Sequence, residues 1–316
     1  MAMSVMTHRI GVDVGKAELW LSVNGEPAQR CANERPAIRR WLRTLHGPAE
    51  FALEATSDFH LTLALEAHRR GHRVYLINGY RLNRYREGIG GRAKTDAGDA
   101  QLLVRYLARE HADLRPWTPP PEGYQTLQKL LRRRATLVRA RVMLEQSLQG
   151  VPELRAGLKA LVRQIARIDA TLQRRLREAI DHAGWTAQTR RCQQIEGVGP
   201  LTGAALTMAF HRGAFRSSDA FIAFLGLDVR VRDSGQKRGR RKLTKQGDPE
   251  LRRLLYLAAL QAKAKPAWRP YYQRCLARGL ATVQALNALA RKLARVAFAL
   301  MKNQTDYQPR TPCMET

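Results

Sequence analysis

The sequence predicts an α/β N-terminal third joined to a mainly α-helical remainder. Three observations carry this. Over the first 110 residues, short apolar or alternating runs take turns with stretches whose apolar positions recur at helical spacing. After a proline cluster the alternation stops, and long Leu-, Arg-, Gln- and Ala-rich stretches keep only the helical period. Charge changes at the same place. Residues 1–110 hold 17 Lys+Arg against 12 Asp+Glu, whereas the remainder holds 38 against 15.

The N-terminal elements follow in order. HRIGVDVG runs apolar toward Asp13, AELWLSV alternates, and Asn24-Gly25 between AELWLSV and EPAQRCAN is a hairpin turn signal, so residues 8–33 read as a three-stranded meander. Residues 35–46 (RPAIRRWLRTLH) have helical spacing, EFALEA at 50–55 is a short buried strand, and 58–70 reads as a helix ending at Gly71. HRVYLIN is a further strand, and TDAGDAQLLVRYLARE at 95–110 is a helix with Thr95 as its N-cap. A meander followed by βαβ units predicts a mixed sheet with helices on its faces, the order of a ribonuclease-H-like fold.

These elements define a first domain at 1–112. Residues 113–123 (DLRPWTPPPEG) contain four prolines, which break any helix, and read as a linker. Stretches at 124–149 and 153–183, parted by Gly150-Val151-Pro152, predict a helical hairpin or coiled coil over 124–185. A third domain, 186–304, should hold helices near 200–210, 218–225, 249–264 and 281–302, with a basic, aperiodic segment at 228–247 and a loose tail at 305–316.

The net charge of +28 points to a polyanionic partner, and nucleic acid is the usual one because each neutralised phosphate releases counterions. Charge alone does not separate an enzyme from a ribosomal or chromatin-type binding protein. The four cysteines (Cys31, Cys192, Cys275, Cys313) form no CxxC pair, which argues against structural zinc and a disulfide framework and fits a reducing cytoplasm. No apolar run is long enough to span a bilayer, and MAMSVMTHRI leads into a strand rather than a secretory signal.

Acids stand out in so basic a chain. Asp13 and Glu54 end two strands, and Asp96 and Asp99 are three apart at the start of a helix, hence on one face. Strand ends and a following helix can converge, and converging carboxylates repel unless a cation neutralises them. Mg²⁺ is a hard ion that prefers such oxygens, and a pair of such ions can clamp a phosphodiester. Taken singly, each acid has a blander explanation: Asp96 can simply complement a helix dipole, and Asp13 and Glu54 can be chance strand-end acids.

The segment from Arg230 to Lys245, RVRDSGQKRGRRKLTK, carries eight Lys/Arg in sixteen residues around Ser234-Gly235. Cations there (Arg232, Lys237, Arg238, Arg240, Arg241, Lys242, Lys245) would bind phosphate and stabilise charge developing under attack by Ser234. The competing reading makes Ser234 one hydrogen-bond donor in a phosphate-binding loop. Upstream, IEGVGPLTGAA resembles a helix-hairpin-helix whose Gly197 and Gly199 let backbone amides meet phosphates, or else a plain helix–helix turn. Arg132 to Arg134 could face phosphate or only solvent, and WRPYY at 268–272 is better suited to packing than to base stacking.

These residues resemble the DEDD-type insertion-sequence transposases, a family that includes the pilin-gene invertases and bridge-RNA-guided recombinases. GVDVGKAEL, ALEAT and KTDAGDAQLL are similar to the family's RuvC-like domain, and IEGVGPLTGAAL, FIAFLGL and DSGQKRGRRKLTKQGDPELRRLLYLAAL to its transposase domain. One departure is that Ser57 and Asp58 follow Ala-Thr, where family members often have glycine. The resemblance implies a DNA recombinase with Mg²⁺ held by Asp13, Glu54, Asp96 and Asp99 and a covalent phosphoserine at Ser234. It also implies donor and target DNA, an element-encoded bridge RNA as guide, and a homo-oligomer, from dimer to tetramer on DNA, paired through the 124–183 coiled coil. The alternatives are a metal-only nuclease or junction resolvase, and a non-catalytic nucleic-acid-binding protein.

Overall fold

The computed structural model describes residues 7–55, 58–90, 95–230, 233, 234, 237–239 and 241–309, of which the side chains of 233, 234, 237 and 238 are left undescribed. The chain divides into two compact units, Met1–Pro119 and Pro120–Thr316.

In the first unit, β1 (His8–Val14), β2 (Glu18–Val23), β3 (Gln29–Ala32), β4 (Ala49–Glu54) and β5 (Arg73–Ile77) form a five-stranded sheet of order β3-β2-β1-β4-β5. The meander β1-β2-β3 is antiparallel, and β1, β4 and β5 run parallel. The mixed sheet is therefore as the strand and helix order predicts. Asn24 and Gly25 both have positive φ (52° and 90°), the backbone of the two-residue hairpin turn read from the sequence.

Side chains alternate across the sheet. One face carries Ile10, Val12, Phe51, Leu53 and Val74 against α1 (Arg35–Leu42) and α2 (Leu61–Arg69). The other carries Ala52, Tyr75 and Ile77 against α3 (Gly79–Gly88) and α4 (Asp96–Glu110), through Leu82, Leu103, Tyr106 and Leu107. Gly11 lies on this second face, where a Cβ would come within 2.7 Å of the Val104 backbone nitrogen and overlap the Ala100 carbonyl. Its missing side chain lets α4 lie directly on β1. Helix α3 was not foreseen: it is short, arginine-rich and flanked by glycines, and Asn78 caps it by accepting from the Tyr80 amide at 2.9 Å.

In the second unit, α5 (Glu122–Ser147) and α6 (Arg155–His182) form the expected hairpin. Tyr124, Leu127 and Leu131 of α5 and Leu176 and Ile180 of α6 share one core with α7 (Thr186–Gln193), α8 (Pro200–Phe210), α9 (Ser218–Phe224), α10 (Pro249–Ala262), α11 (Arg269–Ala277) and α12 (Thr282–Asn303). Helices α7 and α11 fall where no helix was expected, and Trp268, beside α11, is buried as the packing reading required. Among the described residues no helix is long and apolar enough to cross a membrane.

The segment between α9 and α10 is ordered differently from the aperiodic stretch expected. β6 (Val229–Arg230) pairs antiparallel with β9 (Lys242–Leu243), and β7 (Asp233–Ser234) with β8 (Lys237–Arg238), making two short ladders. Nor is the stretch after α12 loose at its start. The Tyr307 amide donates to Gln194 Oε1 at 2.8 Å and its hydroxyl to Glu196 Oε2 at 2.8 Å.

Candidate metal centre and nucleic-acid segment

Parallel pairing sets Asp13 and Glu54 side by side. Val12 pairs with Leu53, so the next residues in register are these acids, at the carboxyl ends of adjacent strands. Both lie on the sheet face covered by α3 and α4. Because Gly11 admits α4 so closely, the first turn of that helix reaches the same point, and Asp99 joins them. The carboxylates of Asp13, Glu54 and Asp99 offer ligand atoms all within 4.8 Å of one another. Thr95 caps α4, accepting from the Gly98 amide at 3.1 Å, which fixes where the acid-bearing turn begins.

Three of the four acids singled out from the sequence thus converge. Asp96 is exposed and outside that three-way cluster, yet it acts on it. The Asp13 pKa is pushed up from an ordinary 3.8 to about 6, first by burial and then by the charges of Asp96, Asp99 and Glu54, with the Val14 amide pulling weakly the other way. A buried carboxyl whose pKa is raised further by neighbouring acids is short of countercharge, and a cation would supply it. The donor set is all oxygen, which suits a hard divalent ion and not zinc on thiolate or imidazole.

Two residues that the sequence reading did not single out shape this cluster, both on α3. Gly79 opens the helix against Glu54, where a Cβ would overlap the carboxylate. Arg86, 9% exposed, donates from Nη2 to Asp99 Oδ1 at 2.5 Å and from Nη1 to Asn83 Oδ1 at 2.9 Å. Only the Asn78 cap could have revealed α3 in the sequence, and nothing in the sequence paired Arg86 with an acid thirteen residues on.

The basic segment is described only in part. Arg232, Gly235 and Arg240 lie outside the described residues, as do Thr56 and Ser57 of the departure from the family pattern. The backbone of Ser234 is in register with Lys237, and Asp233 with Arg238. Lys242 and Lys245 are exposed, and so is Arg241, which is not without partners. The β6–β9 ladder is extended at its base, where the Thr244 amide donates to the Asp228 carbonyl at 3.0 Å and the Thr244 hydroxyl donates to the Asp228 carboxylate. Gly226 and Gly247 pack backbone to backbone beneath it, where a Cβ on Gly247 would meet the Phe224 carbonyl at 2.5 Å.

Gly197, φ 90°, forms the turn between α7 and α8 against α10, where a Cβ would meet the Ala258 carbonyl at 2.5 Å. Gly199 is the N-cap of α8, and a Cβ there would meet nothing within 4 Å. The arginine run of α5 divides: Arg134 Nε pairs with Asp169 of α6 at 2.8 Å inside the hairpin, and Arg132 lies 3.5 Å from the Asp248 carboxylate that caps α10.

Residues 10–154 match a family described as transposase, of the DEDD IS110 type, and residues 189–273 match one described as the transposase IS116/IS110/IS902 family. Among curated relatives, a "Probable family 20 transposase" of Pseudomonas aeruginosa is 28% identical over 95% of this chain and 98% of its own. The transposase for insertion sequence element IS1328 of Yersinia enterocolitica is 27% identical, over 94% of this chain and 97% of its own. A pilin gene-inverting protein of Moraxella bovis is 25% identical, over 85% and 86%. With an acidic cluster on its N-terminal sheet and both halves matched in order, the chain belongs to the DEDD-type, IS110-like family of insertion-sequence transposases, enzymes that recombine DNA.

Proposed function

We propose that this transposase breaks and rejoins DNA strands, with Ser234 as the nucleophile and with Mg²⁺ held by Asp13, Glu54, Asp99 and Asp96 of its RuvC-like N-terminal unit. The observation that carries the metal reading is the convergence of Asp13 and Glu54, at two strand ends, with Asp99 of α4, where burial first and the neighbouring acids second push Asp13 up to about 6. Asp96 completes the set as the exposed member, through its charge on Asp13 and its place one turn from Asp99. Bound there, a divalent ion supplies polarisation of a phosphodiester oxygen and neutralises the charge that develops on it.

In the strand-breaking step, the Ser234 hydroxyl oxygen bonds to the scissile phosphorus as its proton leaves. The bond from phosphorus to one deoxyribose oxygen breaks, and that oxygen takes up a proton. A phosphoserine replaces the phosphodiester at equal oxidation state, so rejoining needs no outside energy or redox partner. The cations Lys237, Arg238, Arg241, Lys242 and Lys245, with Arg232 and Arg240, hold the phosphates. Amides at Gly197 and Gly199 contact the backbone without reading sequence. The cytoplasm is the compartment these substrates imply.

Two further partners follow. Val142, Met143, Leu161 and Ile168 stay exposed on the α5–α6 hairpin, which supports pairing with a second copy there. The surplus of 38 cations over 15 acids beyond residue 110 suits a structured RNA as well as DNA, in line with an element-encoded bridge RNA that chooses donor and target by base pairing.

The test is an adduct trap. Wild type incubated with element-end DNA and Mg²⁺ should yield a covalent protein–DNA species that Ser234→Ala does not form, with DNA binding within about twofold of wild type. Full strand cleavage by Ser234→Ala without an adduct would leave a metal-only nuclease. Sequencing nucleic acid that co-purifies with protein expressed beside its native flanking DNA tests the guide. A discrete RNA from the element supports it, and heterogeneous host RNA removes it.

A further inference from the structure

We infer that Arg86 is a built-in counter-ion of the acidic centre, a positioning residue that occupies the cation's electrostatic role at Asp99 and yields part of it when a divalent ion binds. The inference rests on the metal reading above. Asp99 is 3% exposed, so its charge has little water to stabilise it. It sits within 4.8 Å of Asp13 and Glu54, two more acids. An arrangement of that kind is costly with no cation present.

Arg86 answers that cost at one end of the cluster only. Its Nη2 donates to Asp99 Oδ1 at 2.5 Å while its other terminal nitrogen is anchored on Asn83 Oδ1 at 2.9 Å, one turn back on the same helix. The guanidinium is therefore held from behind and directed at Asp99. Among the described residues Arg86 is the cation paired with this cluster, its partner is Asp99 and not Asp13, and Glu54 lies against Gly79 at the opposite end of α3. Helix α3 thus meets the centre twice, making room for one carboxylate and neutralising another. Among the described residues one positive charge paired with a cluster of four acids leaves the site net negative and open to a divalent ion.

An arginine that only packs and one that stands in for a cation differ in their effect on metal affinity. A stand-in charge opposes the incoming ion, so removing it destabilises the metal-free protein and tightens metal binding. A merely structural Arg86 lowers stability and leaves metal affinity alone. One that chiefly orients Asp99 weakens metal binding when lost.

The experiment measures Mn²⁺ binding by calorimetry, and the thermal shift on adding Mn²⁺, for full-length wild type, Arg86→Gln, Arg86→Lys and Asp13→Asn. Arg86→Gln should melt lower without metal, gain more on metal addition, and bind Mn²⁺ about tenfold tighter. Arg86→Lys keeps the charge and should bind within about twofold of wild type. Equal or weaker Mn²⁺ binding by Arg86→Gln overturns the inference. If Arg86→Gln fails to fold at every metal concentration, Arg86→Lys decides, because a departure of more than about fivefold from wild type then removes charge as the cause. If wild type binds no Mn²⁺, or binds it as well after Asp13→Asn, the metal reading fails and this inference with it. Normal, Asp13-dependent binding with no response to Arg86 fails the inference alone.

Discussion

The acidic centre and the serine segment are built in opposite ways. Asp13 and Glu54 stand on neighbouring strands of a five-stranded sheet covered on both faces, and Asp99 on a helix locked to that sheet through Gly11. Ser234 stands on a ladder of two-residue strands, and among the described residues its segment is held at the base by Asp228, Thr244 and the close pair Gly226 and Gly247. A metal centre needs ligand atoms fixed to a fraction of an ångström, which packed elements provide. A segment that grips a charged backbone needs cations in number more than exact placement, and Arg230 to Lys245 carries eight in sixteen residues.

If that contrast is right, the acidic centre should tolerate far less than the basic segment. The largest effect is expected at the ligands. Asp13→Ala or Asp99→Asn should lower strand cleavage by roughly a thousandfold while leaving DNA binding nearly intact. Normal cleavage by either variant, measured on supercoiled and linear element ends, would end the metal assignment.

Next come the residues that position the ligands. Gly11→Val forces α4 away from β1 and should cost about 1–3 kcal/mol in chemical denaturation. It should weaken Mn²⁺ binding as well, because Asp99 moves with the helix. A stable variant with unchanged Mn²⁺ affinity would show that the close approach of α4 is not what assembles the site. Gly79→Ala disturbs only the Glu54 carboxylate, a flexible group, so it should weaken Mn²⁺ binding with little loss of stability.

A smaller effect concerns protons. Folded Asp13 keeps its proton up to about 6, whereas its ordinary value is 3.8, so between these the folded state binds more protons than the unfolded one. Its contribution to the stability of metal-free protein is greatest below that window and declines as pH rises through it. The group is partly exposed, so solvent screening makes the change smaller than the full shift implies. Asp13→Asn should remove this part of the pH dependence, seen as the difference between the two denaturation profiles from pH 4 to pH 7. Identical profiles would mean that burial and the neighbouring acids do not raise Asp13 as described.

The smallest effects belong to the basic segment. Lys242→Ala or Lys245→Ala should each reduce the salt slope of DNA binding by about 1 and weaken binding modestly at any sequence. A complete loss of binding from either change alone would mean that this segment is as exacting as the acidic centre.

The amino-acid sequence determined a good deal by itself. Alternation, helical spacing and turn residues such as Asn24-Gly25 and Thr95 specify the order of strands and helices, because each is a local preference repeated along the chain. The same order put Asp13, Glu54, Asp96 and Asp99 at element ends. Short helices without a clear apolar period, α3, α7 and α11, were not legible, since tertiary burial rather than local pattern stabilises them. Nor were the ladders around Ser234, whose two-residue strands are too brief to show alternation.

Only the tertiary structure decided which acids meet. Parallel register aligned Asp13 with Glu54, and the absent side chain of Gly11 brought Asp99 to them, while Asp96 on the same turn stayed in solvent. Folding likewise chose Arg86 as the partner of Asp99 and turned Arg134 inward to Asp169. Such choices depend on distances between elements far apart in the chain. Local preference fixes the elements, but packing volume and charge in a low-dielectric interior fix which side chains share a point in space.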